Sequence, residues 1–258
     1  MLSYQHAYHA GNLADVHKHA LLALALDYLV QKPKPLTYIE THAGRALYDL
    51  AGAEAAKTGE AARGIERVAC WFAGDHPYAR ALSVARDRAG PRAYPGSPLI
   101  AQTLLRDGDA MILADLHPQE AGALRAALPG ADVRQVDGPQ MALSLAPPVP
   151  RRGLLLCDPS YEIKDDYLQM PRLIAQLHRK WNVGVLMLWY PILASGAQSG
   201  MCAALDALQI DAAIRHEVRF PPARPGHGMI GSGLYMVNPP WGWADAARDL
   251  GKRFDQIT

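Results

Sequence analysis

The fold is decided by residues 110–138, AMILADLHPQEAGALRAALPGADVRQVDG. An apolar, β-prone run at 110–114 is followed by a helical pattern at 119–128 and by a second β-prone run at 133–136. Strands that alternate with helices pair in parallel, because each helix carries the chain back to the same end of the sheet through a right-handed crossover. The stretch therefore predicts an α/β fold built on a mostly parallel sheet.

The same alternation extends in both directions along the chain. We predict a helix at 13–30 with Asn12 as its N-cap, because apolar residues recur there at helical spacing. Further strands are expected at 36–39, 152–157, 183–190, 214–220 and 234–237, and further helices at 99–105 and 168–180. Together with the two strands of 110–138, these runs predict a sheet of seven strands.

Residues 46–93 interrupt this alternation. They are rich in alanine and arginine and show helical patterns at 61–72 and 79–89, with no convincing strand. We interpret them as a small helical insertion. The sequence contains no internal repeat and no low-complexity linker, so residues 1–258 are expected to form a single domain that carries this insertion.

The composition limits the class of protein. A content of 50% hydrophobic and 20% charged residues is ordinary for a globular domain, and a net charge of +1 means that any contact with a polynucleotide must rely on local basic patches. The longest apolar stretch, 20–26, is far shorter than the roughly 20 residues that span a bilayer, and the first residues lack the pattern of a signal peptide. We therefore expect a cytoplasmic protein with no membrane contact.

The cysteines predict neither a disulfide framework nor a metal site. Cys70, Cys157 and Cys202 are odd in number and lack the paired short spacing of zinc ligands. We expect reduced thiols, mostly buried, and no bound metal.

The four residues Asp158-Pro159-Ser160-Tyr161 follow the apolar run 154–157. Asp158 can accept a hydrogen bond from an exocyclic N–H group, the Pro159 carbonyl offers a second acceptor, and the Tyr161 ring offers a face for stacking. This layout is typical of a methyltransferase that acts on a planar amino group. The alternative is an ordinary turn, because aspartate and proline both favour turns after strands.

Acids follow four of the predicted strands: Glu40, Asp115, Asp137 and Asp158. In open α/β sheets ligands bind across the carboxyl ends of the strands, so these acids should lie at one edge. Asp115 could accept hydrogen bonds from both ribose hydroxyls of an adenosine-containing cofactor, and Asp137 from its adenine amine. The alternative is that each acid caps the helix that follows it.

The loop after the first predicted strand argues against a nicotinamide cofactor. Residues 41–44, THAG, contain one glycine where a dinucleotide fingerprint has three. A ligand without a pyrophosphate, such as S-adenosyl-L-methionine, does not need that close backbone approach. His42 either contacts the cofactor or is a buried structural histidine.

Several stretches of the chain point to one family. They are MLSYQHAYHAGNLADVHKH at 1–19, THAG at 41–44, YPGSPLIA at 94–101, LHP at 116–118, DPSYE at 158–162, WYP at 189–191 and NPPW at 238–241. In these stretches, which span nearly the whole chain, the sequence resembles the bacterial 23S rRNA (adenine-N6) methyltransferases of the RlmJ family. The first stretch is the most specific of them.

The resemblance implies a fold, a reaction and a set of site residues. The fold would be the Rossmann-like class I S-adenosyl-L-methionine-dependent methyltransferase fold, with a monomer methylating the N6 amine of one specific adenine in 23S rRNA, as free RNA or in an early assembly intermediate. Asp158 would be catalytic and would also touch the cofactor. The other cofactor-binding residues would be His19, His42, Ser97, Asp115, Asp137 and Gly138. The substrate-binding residues would be Tyr4, His6, Lys18, Pro159 and Tyr161.

The sequence departs from the family pattern at two positions. Asp115 stands where a glutamate is expected, and Ser160 stands where a second proline is expected. Other functions therefore stay open at this point: the same chemistry on DNA or on a protein glutamine, or a non-catalytic module that binds RNA or cofactor. An oxidoreductase that uses a nicotinamide cofactor is disfavoured by the missing glycines.

Overall fold

The computed structural model describes residues 5–72, 74–224, 226 and 228–257. Its strands are β1 Thr37–Glu40, β2 Leu47–Asp49, β3 Ala93–Pro95, β4 Ala110–Ala114, β5 Asp132–Arg134, β6 Gly153–Cys157, β7 Val185–Leu193, β8 Ala213–Arg219 and β9 Met229–Val237. Its helices are α1 Leu13–Val30, α2 Ala53–Thr58, α3 Glu60–Arg63, α4 Ile65–Val68, α5 Pro77–Ala89, α6 Ser97–Leu104, α7 Pro118–Ala127, α8 Gly138–Leu145, α9 Asp166–Lys180, α10 Ser199–Asp206 and α11 Trp243–Asp255.

Seven strands form one sheet in the order β5-β4-β1-β6-β7-β9-β8. Strands β5, β4, β1, β6 and β7 pair in parallel, whereas β9 is antiparallel to both β7 and β8. The central strand β6, GLLLC, is buried along its whole length, as expected when helices cover both faces of a parallel sheet. The predicted α/β fold with a mostly parallel seven-stranded sheet is confirmed.

Helix α1 begins and ends where the sequence predicts. The Asn12 side chain accepts a hydrogen bond from the Asp15 backbone N–H at 2.8 Å and so satisfies one of the free donors at the start of the helix. The helix is buried on nearly every side, because α5, α6, α11 and strand β9 all pack against it. Its polar residues are consequently held inside the molecule.

Three long-range contacts join α1 to the last third of the chain. His17 Nδ1 lies 2.9 Å from Ser232 Oγ on β9, and His17 Nε2 lies 2.9 Å from His216 Nδ1 on β8. The indole N–H of Trp243 donates to the Leu21 carbonyl at 3.0 Å. These bonds fix the rotation of α1 on the sheet and therefore the direction in which its polar residues point.

The insertion is not wholly helical, and that part of the prediction is wrong. Strands β2 and β3 pair antiparallel at its two ends, with Tyr48 opposite Tyr94. Each strand is only three residues long, which is too short for an alternating pattern to show in the sequence. The helix expected at 61–72 is broken at Gly64, whose φ of −97° and ψ of −118° are not helical. The glycine lets the chain pass close to the Gly11 carbonyl oxygen, which would lie 2.0 Å from a Cβ at this position.

Apolar side chains bury both faces of the sheet. One group lies between the sheet and the helices α1, α5, α6 and α11, and the other lies between the sheet and α8, α9 and α10. No helix in the described ranges is long and apolar enough to cross a membrane. The sheet thus presents only its strand ends as free polar surfaces for a site.

Candidate active site

A cavity of about 390 Å³ lies at the carboxyl ends of the parallel strands. Its walls come from the chain before α1, from α1 itself, from the loops that follow β1, β4 and β6, and from β7. The four strand-end acids belong to adjacent strands, as predicted, but Asp115 and Asp158 line the cavity whereas Glu40 and Asp137 do not. The polar side chains that line it include His6, Asp15, Lys18, His19, His42, Ser97, Asp115 and Asp158.

Asp158 is held by a lysine from α1. The Lys18 ammonium lies 2.5 Å from Asp158 Oδ2 and 3.1 Å from Asp15 Oδ1, and Lys18 is 5% exposed. Burial opposes the charge of Lys18, but the two carboxylates more than offset it and hold its pKa above the usual range. Lys18 is therefore a buried cation that occupies one oxygen of Asp158.

Aromatic rings form the wall beside Asp158. The Tyr161 hydroxyl donates to the Trp189 carbonyl at 2.8 Å, and its ring lies 4.6 Å from that of Tyr167. The Lys18 ammonium lies 5.6 Å from the centre of the Trp189 ring, within the range of a cation–π contact. Tyr161 takes a φ of 57°, which non-glycine residues seldom adopt, and such strain is typical of functional turns. Both Tyr161 and Trp189 face the cavity.

Asp115 organises the loop after β1. Its Oδ2 accepts from the Gly44 N–H at 2.8 Å, and its Oδ1 accepts from the His117 N–H at 2.8 Å. Burial raises the pKa of Asp115, although these two bonds oppose that rise. Gly44 has a φ of +59°, a conformation that favours glycine and lets the loop turn beside the carboxylate. Asp115 therefore lies at the cavity and also fixes its rim.

Asp137 and Gly138 lie next to the loop after β1, outside the lining of the cavity. Asp137 is exposed, and its Oδ1 accepts from the Gln140 N–H at 2.8 Å, so it caps α8 as the alternative reading of the strand-end acids expects. A side chain at Gly138 would lie 1.8 Å from the Thr41 carbonyl oxygen. The glycine allows α8 to approach the loop after β1, and neither residue lines the cavity.

The remaining predicted cofactor residues line the cavity with their polar atoms already bonded. His19 Nδ1 lies 2.9 Å from the Tyr94 hydroxyl, and Ser97 Oγ donates to Glu40 Oε1 at 2.5 Å. Burial lowers the pKa of His19, and it lowers the pKa of His42 to about 4, so both rings are neutral at neutral pH. His42 Nδ1 lies 2.8 Å from the Thr41 hydroxyl.

The comparisons with known proteins agree on one family. The family model described as Ribosomal RNA large subunit methyltransferase D, RlmJ, matches residues 33–257. The chain belongs to this family. It is 40% identical to Ribosomal RNA large subunit methyltransferase J of Escherichia coli (strain K12) over 93% of this chain and 88% of that protein, and 38% identical to the Haemophilus influenzae protein of the same name over the same shares.

A solved structure shows the same fold. A protein from Legionella pneumophila superposes with a TM-score of 0.84 at 32% identity and covers 95% of this chain and 92% of that one. The sheet order, with one antiparallel strand inserted before the last, is that of class I methyltransferases. RlmJ family membership thus confirms the fold and the class of enzyme that the sequence predicts.

The N-terminal segment of this RlmJ family member is clamped by the insertion. Glu60 of α3 accepts from His9 Nδ1 at 2.9 Å and from Asn12 Nδ2 at 3.1 Å, and the Ile65 N–H donates to the Gly11 carbonyl at 2.8 Å. His6 Nε2 lies 2.8 Å from Asp15 Oδ2, so the predicted substrate residue faces the same acid as Lys18. The predicted contact residue Tyr4 lies outside the described residues.

Sequence reasoning missed Asp15 and Trp189 as members of the site. Asp15 is buried against His6, Lys18 and the Gly11 N–H, and only its position one helical turn before Lys18 signals this. Trp189 lies in the middle of β7, where an aromatic residue is expected in the core. Neither could be distinguished from a structural residue without the fold.

Glu40 is a buried acid whose pKa lies well above that of a free glutamate. It accepts from the Tyr38 hydroxyl at 2.8 Å and from Ser97, yet burial raises its pKa from 4.5 to about 8. The pKa of Glu40 is higher in the folded state than in the unfolded state, so the folded protein binds this proton more tightly. The contribution of protonated Glu40 to the free energy of unfolding is therefore fully present below about pH 4.5 and is lost as the pH rises toward 8. In this window the loss is about 1.4 kcal/mol per pH unit.

Glu40→Gln should therefore flatten the pH dependence of stability. The amide is neutral throughout, so the free energy of unfolding of the variant should fall less steeply than that of the wild type between about pH 4.5 and 8. Urea titrations of both proteins across this range measure the difference between their free energies of unfolding. The contributions of the other ionisable groups are the same in both proteins and cancel in this difference. Equal slopes in the two proteins would show that Glu40 is ionised in the fold.

The serine that departs from the family pattern is exposed at the rim of the cavity. Ser160→Pro should leave turnover equal or higher. Proline fixes φ at position 160 and so restricts the chain between Asp158 and Tyr161. The substitution removes neither the partner of the Asp158 carboxylate nor that of the Tyr161 hydroxyl. Turnover under saturating substrate is the measurement. A clear loss of turnover would mean that the turn needs the freedom of serine.

Proposed function

We propose that this protein transfers a methyl group from S-adenosyl-L-methionine to the N6 amine of one adenine in 23S rRNA. The observation that carries the proposal is the arrangement at the end of β6, where the buried cation of Lys18 holds Asp158 Oδ2 and leaves Oδ1 available at the cavity. The Pro159 carbonyl adds a second acceptor in the adjoining peptide. Two acceptors beside an aromatic wall suit a flat amino group.

The residues around the cavity fit S-adenosyl-L-methionine, which supplies a methyl group activated by its sulfonium sulfur. The volume of about 390 Å³ lies within the usual range for small-molecule sites. Asp115 offers a carboxylate for ribose hydroxyls, and the neutral rings of His19 and His42 lie beside it on the same wall. Ser97 also lines this part of the cavity, and the Asp137 and Gly138 pair adjoins it through Thr41. We assign these residues to the cofactor.

Asp158 acts chiefly by holding the amine in place. The N6 lone pair is delocalised into the adenine ring, so the nitrogen attacks only when it is aligned with the methyl carbon. Hydrogen bonds from the amine to Asp158 Oδ1 and to the Pro159 carbonyl orient it and stabilise the positive charge that develops on nitrogen. Transfer of the methyl group would break its bond to sulfur and leave S-adenosyl-L-homocysteine; the amine would then carry one proton too many, and Asp158 Oδ1 would accept it.

The aromatic wall compensates for removing the base from its helix. Extruding a stacked base costs a few kcal/mol, and a new stack on an aromatic ring returns roughly 1–3 kcal/mol. Tyr161 and Trp189 provide such rings next to Asp158. His6 and Lys18 also line the cavity, and we assign them, together with Tyr4, to the substrate half of the site. The substrate is 23S rRNA that is free or in an early assembly intermediate, and the enzyme works as a monomer in the cytoplasm.

The deciding experiment offers the protein three substrates with a labelled methyl donor: naked 23S rRNA fragments, DNA and protein. We expect label only in the rRNA, in N6-methyladenosine identified by mass spectrometry and at one position. Label in DNA or in glutamine would overturn the substrate assignment. Cofactor binding by calorimetry with no turnover on any substrate would instead indicate a non-catalytic module.

A further inference from the structure

The low net charge of this chain limits the places at which it can bind RNA phosphates. The net charge is only +1, so phosphate binding requires arginine or lysine side chains whose charge is not already neutralised. Many are neutralised: Arg45 pairs with Glu120 and Arg92 pairs with Glu66, each at 2.5 Å. The useful cations are therefore those near the cavity that have no acid beside them.

A second cleft, of about 70 Å³, adjoins the main cavity and contains two such cations. The two spaces share Asn12 and Met229 as a common wall. The cleft is lined by Arg63, the last residue of α3, by Arg67 in α4, and by the segment 220–223. A chain that enters the main cavity can therefore continue into this cleft without leaving the protein surface.

The cleft carries an uncompensated positive charge. Arg63 Nη2 donates to the Thr58 carbonyl at 2.8 Å, and within the described part of the chain neither Arg63 nor Arg67 has a carboxylate partner. The acid in the lining, Glu60, is buried and accepts from His9 and Asn12. That bond raises the pKa of His9, which further neutralises the carboxylate.

We propose that Arg63 and Arg67 bind a backbone phosphate of the RNA, next to the nucleotide whose base enters the main cavity. This inference rests on the proposed function and adds the subsite that holds the strand. A guanidinium can donate two parallel hydrogen bonds to a phosphate, so two arginines in one cleft supply both the charge and the donors that a phosphate group requires. Phe220 and Pro221, which also line the cleft, give an apolar surface on which the adjoining ribose can pack.

The test compares the double variant Arg63→Gln and Arg67→Gln with the wild type in binding a 23S rRNA fragment at several salt concentrations. Losing one phosphate contact should reduce the slope of log affinity against log salt by about 0.7 to 1. We expect KM for the RNA to rise about tenfold while kcat changes by less than about twofold, because the contact is remote from the reacting atoms. Arg67→Lys keeps the charge and should retain most of the slope.

Three controls accompany this test. Arg86→Gln with Arg88→Gln removes two exposed arginines from α5, outside both cavities, and should change the slope much less. Unchanged affinity for S-adenosyl-L-methionine shows that the variants are folded. A DNA fragment of the same sequence, run in parallel, shows whether the subsite takes any nucleic-acid backbone or depends on RNA.

The inference is overturned if the double variant keeps the wild-type salt slope, or if the α5 control loses as much of it. Such a result leaves the proposed function intact, because methylation of adenine by the wild type is read separately by mass spectrometry. Failure of the wild type to methylate the RNA would count against the proposed function instead.

Discussion

Asp158→Ala should lower kcat at least about 10³-fold while the protein stays folded and binds its cofactor. The substitution removes the acceptor that orients the amine and the anion that stabilises developing charge, and losing one such preorganised group typically costs 10² to 10³ in rate. It also leaves the Lys18 ammonium, now paired with Asp15 alone, next to the reacting nitrogen. Repulsion between that cation and the developing positive charge adds to the loss.

Single-turnover methylation of the rRNA fragment measures this effect without interference from product release. Asp158→Asn is the matched variant, since its side-chain oxygen still accepts a hydrogen bond but carries no charge, and it should lose less than the alanine variant. Asp166→Asn, at the start of α9, provides a nearby control that should stay within a few-fold of the wild type. A kcat for Asp158→Ala within threefold of the wild type would remove Asp158 from the mechanism.

Lys18→Met should destabilise the fold strongly as well as inactivate it. The methionine fills a similar volume but leaves the carboxylates of Asp15 and Asp158 without their shared cation, and breaking a buried ion pair in this way typically costs 3–5 kcal/mol. For a chain of this size that corresponds to a fall in Tm on the order of 10 °C. Thermal unfolding followed by circular dichroism measures it.

A double variant separates the stability effect from the catalytic one. Lys18→Met combined with Asp158→Asn removes the cation and one of its carboxylates together, so much of the lost stability should return while methylation stays absent. The same combination also measures the coupling energy of the pair. A Tm for Lys18→Met equal to that of the wild type would mean that the ion pair contributes nothing to the fold.

The sequence predicted the sheet because its central strands are local, contiguous apolar runs. Strand β6 and helix α1 are examples, since their bounds follow from buried runs and from the Asn12 cap. The antiparallel pair β2 and β3 was missed because its two strands lie far apart in the chain and are each three residues long. Local pattern carries no information about such a pairing.

The sequence predicted fewer features of the site than of the fold. Asp158 and Asp115, which line the cavity, were predicted as site residues because strand ends concentrate ligand contacts in this class of sheet. The partnership of Lys18 with Asp158 was not predicted, because these residues are separated by 140 positions and meet only after α1 docks on the sheet. The role of Asp137 stays a prediction, because this residue caps α8 and adjoins the cavity without lining it.

The docking of α1 also has a consequence for the synthesis of this protein. Leu21 in the first helix is bonded to Trp243, 222 positions later, and His17 is bonded to residues of β8 and β9. At roughly 5–20 residues per second, a ribosome needs on the order of 10 to 40 seconds to make the chain between these partners. During this time the apolar helix that carries Lys18 has been synthesised, whereas β8, β9 and Trp243, which it contacts in the fold, have not. A product truncated before β9 therefore leaves that helix without its packing partners and exposes it to aggregation and proteolysis.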